Sequence, residues 1–95
     1  MPASQKIFDL SQGYRPAPGD PLLDFLGKNR GVSVAVSLAA LRRLDTLVVQ
    51  LLLVAAQDWR RRGLAFSVTS VRPDLEETLR QLGVTADLLP CEAAA

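Results

Sequence analysis

The chain contains no histidine and one cysteine, Cys91. The commonest general base and the commonest zinc ligand are therefore missing together, and neither an internal disulfide nor a cysteine cluster can form. Charge of one sign is also lacking, because eleven Lys and Arg stand against ten Asp and Glu and leave a formal +1. A field that would capture nucleic acid or an anionic membrane is absent from that balance, so nucleic acid is not an expected partner. Long apolar runs are missing as well. The longest, Leu47 to Ala56, is interrupted by Gln50 and falls far short of the ~20 residues of a membrane span. Met1-Pro2-Ala3-Ser4-Gln5-Lys6 lacks the apolar stretch of a secretory signal, so the expected location is cytoplasmic, with no direct membrane insertion. Gly27-Lys28 does not make a phosphate loop: Leu22 stands where the first glycine belongs, and Asn29 replaces the magnesium-binding Ser or Thr.

What is present is enough to fold. At 95 residues, with 48% hydrophobic and 22% charged side chains, the chain is read as one domain over 1–95, with 1–4 and 91–95 as flexible tails. Ile7-Phe8-Asp9-Leu10 reads as a strand with Phe8 and Leu10 on one side. Asp20-Pro21 pairs an N-cap acceptor with a residue that has no N–H to lose, predicting a helix to about Arg30 that Gly31 ends in a left-handed conformation. Val32 to Leu38 and Leu64 to Ser70 alternate strictly, each with one greasy face and one small, mildly polar face. Strands covered on both sides would be apolar on both faces, so the helices are expected on one side of the sheet.

Asp45 to Arg62 is predicted as the main helix, ended by Gly63, and Pro73 to Leu82 as the last, ended by Gly83, with Leu75, Leu79 and Leu82 as its stripe. At 100° per residue, Val48, Val49, Leu51, Leu52, Ala55, Ala56 and Trp59 form the buried face of the main helix. Leu47, Leu53 and Val54 fall inside the polar arc, where a helix packed on one side of a sheet has no internal use for them. They are candidates for a docking surface. Arg60-Arg61-Arg62 is expected to satisfy the helix C-terminus, with contact to an acidic partner or phosphates as the alternative, and Trp59 to belong to the core.

Leu44-Asp45-Thr46 after the central strand, the Leu-rich helix ending at Gly63, and the spacing to Pro73 and Gly83 resemble the STAS family, over about Val32 to Pro90. The resemblance implies an α/β, STAS-like fold, a small mixed β-sheet with helices packed on one face, and a non-enzymatic binding module needing no cofactor or metal. In the antagonist branch the loop reads Asp-Ser-Ser/Thr-Gly, and the residue two after the Asp is phosphorylated by a histidine-kinase-like ATPase. Here that residue is Leu47, which has no hydroxyl, and Val48 replaces the Gly. Thr46 is the remaining candidate phosphoacceptor.

Two other branches are similar. The STAS subunit of a phospholipid-transporting ABC complex carries Asp-Thr at this loop and a segment like Ala86 to Pro90; chemotaxis-associated STAS proteins resemble Leu51 to Ala56 with Trp59. The expected partner is a histidine-kinase-like ATPase, a chemotaxis component or an ABC ATPase. The expected contacts are Asp45, Thr46, Leu47 and Val48 of the loop with Gln50, Leu53 and Val54 of the helix, and no residue is nominated as catalytic.

Overall fold

β-Branched residues alternating with small ones build the centre of the structure. The computed structural model describes residues 6–11, 14 and 16–93. The strands are β1 (Lys6–Asp9), β2 (Val34–Ser37), β3 (Phe66–Val71) and β4 (Cys91–Ala93), separated by helices α1 (Pro21–Lys28), α2 (Thr46–Arg61) and α3 (Pro73–Gln81). They form one sheet in the order β1-β2-β3-β4. All neighbours pair in parallel, where the resemblance implies a mixed sheet. Every connection between the described strands carries a helix that returns the chain to the end of the sheet where the preceding strand began, and the next strand then runs parallel to it.

Val34, Val36, Phe66 and Val68 share one core with Leu22 and Leu26 of α1, Val48, Leu52 and Trp59 of α2, and Leu75 and Leu79 of α3. The helices therefore lie on one face, as the alternation implies. The opposite face carries the rows Ile7, Ala35, Ser67 and Asp9, Ser37, Thr69 in register. Ala35 and Ser37 are buried without any helix over them because they are short and sit between flanking rows.

Four departures from the sequence reading have local causes. Cys91–Ala93, expected in a tail, form β4, since the Val68 N–H bonds the Pro90 carbonyl at 2.8 Å and draws the segment onto the edge; 1–4 and 94–95 lie outside the described residues. α1 ends at Lys28 without a left-handed Gly31. Asn29 stops it instead, its side-chain amide donating to the Phe25 carbonyl at 2.8 Å. Leu82 is exposed at the C-cap of α3, and Val84, past the turn, packs on the core in its place. Ser70, at φ 56°, makes a bulge against β4, so the alternation is reset and Val71 is fully buried.

Two helix ends use the same device. The Gly63 N–H bonds Arg60 O at 3.0 Å and the Leu64 N–H bonds Trp59 O at 2.9 Å, while Gly83 and Val84 repeat the pair on Arg80 and Leu79. Gly63 has φ 75°, and a Cβ there would meet nothing within 4 Å. The cost of a side chain is therefore conformational only: Gly63→Ala is expected to destabilise by ~1–2 kcal/mol in urea unfolding, with an unchanged slope.

Asp20 is the most connected cap. It accepts from the Leu23 N–H (2.9 Å), the Ala17 N–H (2.8 Å) and the Tyr14 hydroxyl (2.9 Å). Burial alone would raise its pKa, but these hydrogen bonds to the charged form outweigh it and hold the carboxyl below its ordinary value. Burial and the adjacent carboxylate hold the Tyr14 hydroxyl well above its own. A depressed carboxyl pKa contributes stability that is full above the unfolded value and lost as pH falls through the folded one. Asp20→Ala is accordingly expected to cost ~0.5–2 kcal/mol at pH 7, the gap to wild type closing below about pH 4 in urea unfolding at stepped pH.

Candidate protein-docking surface

The loop after β2 delivers α2 to the surface with a fixed start. Leu38 and Leu41 are buried and Leu44 packs on the core, while Arg42 and Arg43 between them face solvent. Asp45 caps α2, its Oδ1 accepting from the Leu47 N–H at 2.8 Å while its carbonyl accepts from the Val49 N–H at 3.0 Å. Ser37 ends β2 in a turn, its hydroxyl oxygen accepting from the Ala39 N–H at 3.3 Å. From this start the sequence periodicity decides which residues face out. Asp45 and Thr46 are exposed, Leu47 is 61% and Val54 63% exposed, and Gln50 lies between them. At spacings of three and four these side chains form one ridge.

Two expected contacts are not available on it. Val48 is 3% exposed and belongs to the core, one residue around the helix from Leu47. Leu53 is half-buried and packs on the core from the flank of α2, because it adjoins the buried Val49 and Ala56 at spacings of four and three. The available surface is therefore Asp45, Thr46, Leu47, Gln50 and Val54.

The ridge runs into a second feature. An open groove of about 370 Å³ separates α1 from α2 beyond Gln50; Leu23, Gly27 and Arg30 line one wall and Leu51, Val54, Asp58 and Arg61 the other. The α1 wall was not legible in the sequence, because residues 23–30 and 51–61 carry no motif linking them. The basic run at the end of α2 is dispersed rather than satisfying only its own helix end. The Arg60 guanidinium donates to the Asp87 carbonyl, Arg62 pairs with Asp58 at 3.3 Å, and Arg61 turns to the groove. Trp59 closes the base from the core side, its Nε1 donating to the Val32 carbonyl at 2.8 Å.

The family described as "Mlab, STAS domain" matches residues 20–90 of the 95. The chain belongs to the STAS domain family. That span covers α1, α2 and α3 of this STAS domain together with β2 and β3, and so both the α2 ridge and the groove. No curated protein matches the sequence. Among the described residues, no helix of the STAS domain is long and apolar enough to cross a membrane, and no cluster of three or more His, Cys, Asp or Glu side chains could hold a metal ion.

Proposed function

We propose that this STAS domain is a non-enzymatic interaction module of bacterial signalling, in the manner of anti-sigma-factor antagonists or chemotaxis-associated relatives. It docks on a cytoplasmic protein through Asp45, Thr46 and Leu47 and the exposed ridge of α2. What carries this reading is the exposure of Leu47 and Val54, two large aliphatic side chains two turns apart on a face the fold leaves uncovered. With leucine where the antagonist branch carries its phosphoacceptor, association is governed by contact rather than by phosphate at that position. Thr46 offers a hydroxyl at the helix N-terminus, where free N–H groups favour an anion, and is the remaining position for such control.

A second reading, a STAS subunit docking on the ATPase of a phospholipid-transporting ABC complex, is favoured by Asp45-Thr46 at the start of α2 and by the turn at 85–89 before Pro90. Capture of the tagged protein from its own cells beside the Leu47→Asp variant tests both. A histidine-kinase-like ATPase or chemotaxis component lost with the variant supports signalling. An ABC ATPase lost with it supports the transporter subunit, and an unchanged set of captured proteins overturns the docking surface.

A further inference from the structure

Gly27 lies in the last turn of α1, in a right-handed conformation that any residue adopts, and a Cβ there would meet nothing within 4 Å. The fold has no internal need for a glycine at this point, and glycine in a helix is less stable than alanine. Its bare backbone instead forms part of a wall of the groove, opposite Leu51 and Val54. A missing side chain at a helix surface lets a second backbone approach closely, which a methyl or larger group would prevent.

The rim supplies the second observation. Arg30 and Arg61 are exposed at the groove and have no ion-pair partner among the described residues. Of the nearby carboxylates, Asp24 pairs with Lys28 at 3.1 Å, and Asp58, which itself lines the groove, pairs with Arg62 at 3.3 Å. Two guanidiniums without a carboxylate partner among the described residues therefore stand on opposite walls of a groove whose apolar lining includes Leu23, Leu51 and Val54, in a chain whose formal charge is only +1. That combination complements carboxylates carried beside an apolar stripe, since guanidinium and carboxylate pair in a bidentate fork.

We infer that the groove between α1 and α2 seats an acidic amphipathic helix of a partner protein. The apolar stripe of that helix lies on Leu23, Leu51 and Val54, its backbone passes over Gly27, and its Glu or Asp side chains meet Arg30 and Arg61. The inference rests on the docking reading in taking a protein as the occupant, and it adds the partner's chemistry and a surface apart from Leu47.

The test is a fluorescence-anisotropy titration of the full chain with a labelled, end-capped peptide of about 18 residues, Leu on one helical face and Glu on the other; a Lys-faced version is the control. The Glu-faced peptide is expected to bind saturably, the Lys-faced one at least about 10-fold more weakly, with the difference shrinking at high salt. Gly27→Leu and the double variant Arg30→Glu, Arg61→Glu are each expected to weaken binding by about 10-fold or more. The charge variant carries the test alone if Gly27→Leu does not fold. Gly27→Ala is expected to raise the thermal midpoint by about 2–5 °C while weakening the peptide, a pairing of signs that a purely structural glycine does not produce.

Equal binding of both peptides, or binding indifferent to Arg30 and Arg61, overturns the inference. Dodecanoate binding that depends on Gly27, with no peptide binding, overturns it in favour of an acyl chain; a Gly27-dependent dimer in sedimentation overturns it in favour of a second copy. The titration does not probe Leu47, so its failure leaves the docking reading standing, and failure of the Leu47→Asp capture leaves the groove standing.

Discussion

Replacing Leu47 and Val54 together by aspartate is expected to weaken binding of the captured partner by ~10²–10⁴-fold and to leave the fold nearly untouched. Covering a large aliphatic side chain is worth ~1.5–3 kcal/mol, so two of them supply that range before any cost of burying the new carboxylates is counted. Both positions are more than half exposed in the isolated chain, where substitutions move stability by only about 0.5 kcal/mol. Asp at 47 also falls in the first turn of α2, next to the cap at Asp45, where a negative charge is favoured by the helix dipole. Isothermal titration against the partner gives the first quantity and a thermal melt the second. A midpoint lowered by more than about 8 °C would show that Leu47 and Val54 hold the fold rather than a partner.

Trp59→Ala has the opposite profile. Its indole is 3% exposed, packs edge-on to Phe66 with ring centroids 6.0 Å apart, and gives its N–H to Val32 just ahead of β2. Truncation opens a large cavity between α2 and β3 and leaves the Val32 carbonyl without that donor, an expected loss of ~3–5 kcal/mol. Against a total of ~5–15 kcal/mol for a small domain, much of the folded population's margin goes with it. Trp59→Phe keeps most of the volume and loses the hydrogen bond, with an expected cost of ~1–3 kcal/mol. Urea unfolding of both variants checks the order, and equal losses would show that the hydrogen bond, not the volume, is what matters.

Those two residues mark what the sequence makes legible. Trp59 and Leu47 sit on one helix, and the 3.6-residue period alone separates core from surface for them, as it does for Val48 and Val54. Capping chemistry is equally readable, since Asp20-Pro21, Asp45, Gly63 and Gly83 act through bonds to residues a few positions away. Legibility stops where the outcome depends on a neighbour distant in the chain. Cys91-Glu92-Ala93 has no alternation of its own and becomes a strand only through β3, and Ser70 resets the phase of that strand with a conformation non-glycine residues seldom adopt. Leu53 looks like Leu47 by polar neighbours, and only the packed structure divides them. The surface at Leu47 could therefore be proposed from periodicity, whereas the groove required α1 and α2 to be placed side by side.

The strand order β1-β2-β3-β4 has a bearing on how this domain is made. Each strand is laid beside the one synthesised before it, so no strand waits for a partner that leaves the ribosome out of turn. Each of these parallel pairs closes over one helical connection, β1 on β2 across α1 and β2 on β3 across α2. Pairing only consecutive strands keeps the entropic cost of loop closure at each step below that of an order that skips a strand.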